Sequence, residues 1–247
     1  MKNYELNFIS NADFFNHVKN TVSKYRFQID LKKFKKNLID PIKLTFDSKV
    51  YDKQISNVIE NEIIRQMDKS NTNHIGYFHQ NIFKYIGEGW IVPKSGYDVI
   101  NLKQSYFVEM KNKHNTMNSS SSQKTYMRMQ NTLLNNSDAI CMLVEVIAKN
   151  SQNIVWNISL DGNSVANERI RRVSIDKFYE LVTGDCHAFK KLCEKLPMAI
   201  DDVMTETQLD GEINTVIAEL EQISPNILKS LYLLSFKKYE GFDEFNI

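Results

Sequence analysis

Apolar positions in the first ninety residues recur at helical spacing. Phe14, Phe15, Val18, Val22 and Tyr25 follow Asn11, a residue able to cap a helix. Leu31, Phe34, Leu38 and Ile39 fall on one side of a segment whose other side carries Lys32, Lys33, Lys35 and Lys36, and Pro41 is expected to end it. Ile55, Val58, Ile59, Ile63 and Met67 repeat the pattern over residues 53–67. A further helix is expected over 74–86, stopped by Gly87 and Gly89.

From Trp90 the period changes. Trp90-Ile91-Val92 is a short apolar run between Gly89 and Pro93, and Tyr97-Asp98-Val99-Ile100 follows Gly96. A turn at 101–104 leads into 105–111, where Tyr106, Val108 and Met110 alternate with Phe107, Glu109 and Lys111. That alternation marks a strand with one apolar and one chemically active face, and the three runs read as an antiparallel meander. Residues 112–122 read as a polar loop and 123–135 as a helix. The near-continuous apolar run 139–148 is a strand covered on both sides, with 153–160 expected as its neighbour. Residues 175–239 are helical again. The fold class is therefore α/β, one central mixed sheet flanked by helices. With no repeat or linker-like composition, 1–247 reads as one domain: 1–88 mainly helical, 89–160 the sheet core, 161–247 mainly helical.

Composition narrows the class without choosing a function. At 42% hydrophobic and 25% charged residues, disorder as the main state is excluded. No apolar run is long enough to cross a membrane, and the N-terminus lacks the apolar stretch of a signal peptide, so a cytoplasmic protein is expected. Cys141, Cys186 and Cys193 make no disulfide framework, and Cys186-His187 and Cys193 lack a complementary metal-binding pair. The formal net charge of +1 argues neither for nor against nucleic acid, for which a local basic face matters.

Asp30-Leu31-Lys32, Asp47-Ser48-Lys49 and Glu109-Met110-Lys111 each place an acid two residues before a lysine. The first two border a helical region, where such positions point about 200° apart. On an alternating strand they share a face, and the 101–104 turn can bring Asp98 beside Glu109. Two carboxylates held close repel, and a hard divalent cation relieves that. Asp98, Glu109 and the Met110 main-chain carbonyl then form a set for Mg²⁺, and Lys111 can orient a water and stabilise the charge on a phosphorane. The bland alternative is a Glu109–Lys111 salt bridge, with Asp98 as a turn residue.

Asp98…Glu109-x-Lys111 resembles the PD-(D/E)xK nuclease motif, with Tyr97 where proline is usual, and the strand–helix–strand order over 105–148 matches that core. The segments 73–81 (NHIGYFHQN) and 108–118 (VEMKNKHNTMN) resemble type II restriction endonucleases that cleave GGNCC or GGWCC, over about residues 40–130. The resemblance implies a Mg²⁺-dependent homodimer that cuts both strands of double-stranded DNA at a short near-palindromic site. A cognate DNA methyltransferase would be its genetic partner. It also implies a helix glutamate near the metal, for which Glu62 is preferred to Glu60, an ordinary surface glutamate being the alternative.

Around that centre, Lys113, His114, Asn115, Thr116 and Asn118 offer side chains suited to base edges and phosphates, the alternative being a solvated loop with a serine cap. Lys124, Tyr126 and Arg128 on the following helix are candidates for the DNA backbone, and His79 and Gln80 for a further contact; a solvated or packed helix face is the alternative for each. The spacing of His74 and His79 is poor for a shared metal. The basic helix at 32–36 reads as a wall of the DNA cleft or as a solvated face. Two other readings stay open: a branched-DNA or repair nuclease of the same fold, and a non-catalytic DNA-binding protein.

Overall fold

The computed structural model describes residues 3–114, 116–160, 162–207 and 214–237. The chain folds as two compact units, each discontinuous in sequence. One takes the N-terminus through Ser23 together with Ile75 onward to Gln208; the other takes Lys24–His74 and the C-terminal residues from Leu209.

The first unit carries the sheet. Its strands are β1 (Trp90–Ile91), β2 (Val99–Asn101), β3 (Tyr106–Lys113), β4 (Ile140–Ile147), β5 (Asn153–Val155) and β8 (Ile170–Ser174), in the order β1-β2-β3-β4-β8-β5. β1, β2 and β3 form the expected antiparallel meander, β3 and β4 run parallel, as do β4 and β8, and β5 returns antiparallel at the edge. The fold is thus α/β with a mixed central sheet.

Period-2 alternation gives this sheet two different faces. Val108, Met110, Met142, Val144 and Val173 join an apolar core with α1 (Asn11–Val22), α6 (Ile175–Thr183) and α7 (Ala188–Glu206), in which Phe83 packs on Phe178 and Tyr179. On the other face Phe107, Cys141, Leu143 and Ile170 pack under Tyr126, Met129 and Leu133 of α5 (Ser119–Asn135). Beside them lies a small hairpin of β6 (Ile158–Leu160) and β7 (Asn163–Val165), antiparallel to one another. Gly87, at φ 68°, makes the turn into β1; a Cβ there would stand 2.9 Å from Val182 Cγ1.

The second unit is helical: α2 (Leu31–Lys35), α3 (Pro41–Val50), α4 (Ile55–Asn81) as far as His74, α8 (Val216–Ile223) and α9 (Ile227–Ser235). Leu31, Phe34, Leu44, Val58, Ile59, Ile63, Leu220 and Leu231 form its own core. No helix among the described residues is long and apolar enough to cross a membrane.

Several boundaries differ from expectation. Ser10, not Asn11, caps α1 by accepting from the Asp13 N–H. The basic helix stops at Lys35, and Leu38 has a positive φ of 49° and is 89% exposed. Pro41 starts a helix instead of ending one: it holds the first turn of α3, capped by Asp40. The two helices expected over 53–67 and 74–86 are one continuous α4, followed by a 3-10 turn at Ile82–Lys84. Residues 153–160 are not β4's neighbour. The run breaks at the buried Trp156 into β5 and β6, and β8 takes the place beside β4.

Candidate active site

Register brings the acids together. β2 pairs Val99 with Val108, and the Asp98 N–H continues the ladder by donating to Val108 O at 2.9 Å. Asp98 therefore stands opposite Glu109, on the face that Glu109 shares with Lys111. The Met110 N–H donates to Asp98 Oδ2 at 2.8 Å. In an extended strand a residue's N–H and C=O point to the same side, so the Met110 carbonyl also faces Asp98. Lys111 Nζ donates to Glu109 Oε1 at 2.7 Å.

Glu109's other oxygen is taken by a residue expected on the DNA backbone. Arg128, from α5, donates through Nη2 to Glu109 Oε2 at 2.5 Å and through Nη1 to Gly96 O at 3.1 Å. Its guanidinium carbon lies 4.6 Å from the centre of the Tyr97 ring, a cation–π contact, and its Nε is buried without a partner. Tyr97 is fixed in turn by Thr132 at 2.8 Å. Tyr97 thus serves as a platform for Arg128.

Burial pushes the Asp98 carboxyl up from the ordinary aspartate value, and the facing Glu109 adds to it; the Met110 N–H, Lys111 and Arg128 pull the other way without cancelling it. Two carboxylates and a main-chain carbonyl converging beside one another, one carboxyl raised partly by the other, fit a hard divalent cation. Among the described residues no three His, Cys, Asp or Glu side chains converge as a metal-binding group. A cation there would rest on these two acids and the backbone.

A second ionic cluster lies one strand over. Glu145, which β4 aligns with Lys111, is salt-bridged to Arg172 and lies 3.0 Å from His114 Nδ1. Arg172 Nη2 also approaches His114 Nδ1 at 2.8 Å. Although burial works against ionisation, Arg172 and His114 hold the Glu145 carboxyl below its ordinary range. Lys111, Lys113, Thr116, Ser122, Glu145 and Arg172 line a cavity of about 60 Å³, room for water but not for a base.

The remaining expected contacts separate. Lys113, Thr116 and Lys124 are exposed, the Thr116 hydroxyl donating to Lys113 O. Asn118 caps α5 by accepting from the Ser121 N–H, so the serine run is the helix's first turn rather than a loop. His114 is tied to Glu145 and Arg172 instead of facing outward. Tyr126 is fully buried, edge-on to Trp156, and so is no surface contact: two residues from both Lys124 and Arg128, it points to the other side of α5. His79 is mostly enclosed, its pKa pushed down to about 4 by burial and by His17; Gln80 is half-buried on the same helix. Asn115 lies outside the described residues. Glu62 belongs to the other unit, where Arg65 Nε at 2.6 Å and Gln66 Nε2 at 3.0 Å engage its carboxylate. The two other acid-x-lysine sites are structural: Asp30 caps α2, and Asp47 pairs with Lys43.

Arg128, Glu145 and Arg172 were the residues whose part here the sequence reading missed. Glu145 did leave a signal, a single acid inside the apolar run 139–148 that has to be paired to be buried.

A mixed sheet flanked by helices, with acids and lysine on one face, is the arrangement of a nuclease core with helical additions. Residues 6–205 match the Eco47II restriction endonuclease family, and the chain belongs to that family. The type II restriction enzyme Sau96I of Staphylococcus aureus is 34% identical to it over 236 residues, 90% of each chain. The type II restriction enzyme Eco47II of Escherichia coli is 29% identical over 214 residues, 81% of this chain and 89% of its own. The protein is a restriction endonuclease, and its substrate is double-stranded DNA.

Proposed function

We propose that this endonuclease works through a PD-(D/E)xK site in which Asp98, Glu109 and the Met110 carbonyl hold Mg²⁺ and Lys111 handles the attacking water. The observation that carries the reading is the register: β2 and β3 set Asp98 against Glu109, with Lys111 on the same face. Bound Mg²⁺ would supply the withdrawal of charge from the scissile phosphoryl group. Lys111 Nζ orients the water in line with the P–O3′ bond and stabilises the charge that builds on the phosphorane. Breaking that bond leaves a 5′-phosphate and a 3′-hydroxyl.

The DNA backbone runs past the exposed side of this site. Lys113 at the end of β3, Thr116 just beyond it and Lys124 on α5, all exposed, would meet it, and Asn115 lies between the first two in sequence. A homodimer would apply the same site to each strand of a near-palindromic target of GGNCC or GGWCC type. The resemblance over residues 73–81 and 108–118 and the Sau96I and Eco47II relatives support that target class. The enzyme would act in the cytoplasm beside a cognate methyltransferase encoded with it.

Digestion of fully sequenced, unmethylated DNA, with Mg²⁺ and with EDTA, tests the reading. Discrete Mg²⁺-dependent fragments that map to one short motif and carry 5′-phosphates are expected. Fragments formed equally in EDTA would overturn the metal site, and cutting confined to branched DNA would overturn the target class.

A further inference from the structure

Arg128 is held too specifically for a loose backbone contact. Its guanidinium is fixed by three groups at once, Glu109 Oε2, Gly96 O and the Tyr97 ring, and it occupies one of the carboxylate oxygens assigned above to the cation. Lys111 occupies the other. Both oxygens of Glu109 are thus answered by side-chain charge, while among the described residues Asp98 has the Met110 N–H and, farther off, Lys111 and Arg128. A divalent ion taking Glu109 has to share its oxygens with these two charges. Lys111 reaches Glu109 from two residues away on the same strand, whereas Arg128 comes from a separate element, and its removal leaves the strand unchanged.

We propose that Arg128 is the site's internal counter-cation: it competes with the divalent ion for Glu109 and so keeps the DNA-free enzyme poorly loaded. The inference rests on the assignment of Asp98 and Glu109 as the cation's ligands. Its physical basis is simple. A fixed positive charge on the ligand oxygen takes up part of its acceptor capacity and repels a divalent ion for as long as it stays there. The guanidinium fork suits a phosphate as well as a carboxylate, so a DNA backbone entering beside Glu109 gives Arg128 another partner. Metal loading then follows DNA binding.

Calorimetric titration of Ca²⁺ into the DNA-free protein reads this without any cleavage. Arg128→Gln is expected to bind Ca²⁺ at least about tenfold more tightly than the wild type. Arg128→Lys, which keeps the charge and loses only the fork, is expected to stay within about threefold of the wild type. Adding Asp98→Asn to Arg128→Gln should abolish the gain. Equal affinity of Arg128→Gln and wild type, or no binding by either, would overturn the competition. A gain that survives Asp98→Asn would show that the ion sits elsewhere, and the failure would then be that of the site assignment. Thermal melts of the three variants establish that each is folded.

Discussion

Glu109 and Glu145 stand on neighbouring strands, on the same face of one sheet, and each is held by two basic side chains. Glu145 takes Arg172 and His114; Glu109 takes Lys111 and Arg128. They differ in exposure and in company. Glu145's side chain is 2% exposed, and its carboxyl is held below its ordinary range by Arg172 and His114. Glu109's is 13% exposed and faces Asp98, whose carboxyl is raised. Opposite charges around a buried acid complete an interior. The Asp98–Glu109 pair keeps Asp98 raised, by burial first and by Glu109 after it, in spite of Lys111 and Arg128, and on the proposed reading a divalent ion relieves what repulsion is left.

The sharpest way to break the comparison is at the acids. Asp98→Ala is expected to reduce cleavage by about 10³-fold or more while leaving specific DNA binding in place, since on the proposed reading the acid serves the reacting phosphate and not base recognition. Single-turnover assays beside gel-shift titrations read both; loss of binding by a folded variant would count against a purely catalytic role. Glu145→Gln should act on the fold instead. It strips the charge partner from Arg172 and His114 in a nearly closed environment, and a loss of about 3 kcal/mol is expected from urea unfolding, with the midpoint lowered and the slope unchanged. A midpoint equal to that of the wild type would show the cluster to be incidental.

Acidification separates the two carboxylates without mutation. On the proposed reading Asp98 must be ionised to take up a cation, and in the cation-free site its raised pKa means that this form is lost at a higher pH than for an ordinary aspartate. Glu145's pKa is lowered, so the stability it contributes is present above the unfolded carboxylate value and is lost only as the pH falls through the lower folded value. Cleavage should therefore fail at a pH where the fold, followed by circular dichroism, is still intact. Coincident loss of both would remove the distinction. The smallest effect is at the rim: Lys113→Ala is expected to weaken DNA binding and to reduce the slope of log K against log[salt] by about 0.9, the value of one phosphate contact.

Local signals carried the site further than they carried the sheet. The alternation over 105–111 and the turn at 101–104 were enough to set Glu109 and Lys111 on one face and Asp98 across from them. What local pattern missed was set by distant partners. β8 reads as Ile-Arg-Arg-Val-Ser, unlike a central strand, because Arg172 answers Glu145 and Arg171 answers Asn153. Residues 153–160 look like one strand but are split by Trp156, which packs under α5. Tyr126 lies between Lys124 and Arg128 in sequence, yet two residues on a helix is just over half a turn, which sends it into the core. Pro41 stops a helix or starts one depending on what precedes it, and Asp40 decides for a start.

The central claim is that Asp98, Glu109 and Lys111 are a hydrolytic centre and not a second ion-pair cluster. It is tested most directly by the single-turnover cleavage rate of Lys111→Ala on a cognate duplex, with Mg²⁺ present and the complex preformed. The account predicts a folded protein that holds the duplex and cuts it at least about 10³-fold more slowly than the wild type. Cutting at the wild-type rate would reduce Lys111 to the salt-bridge partner of Glu109 and move the chemistry elsewhere.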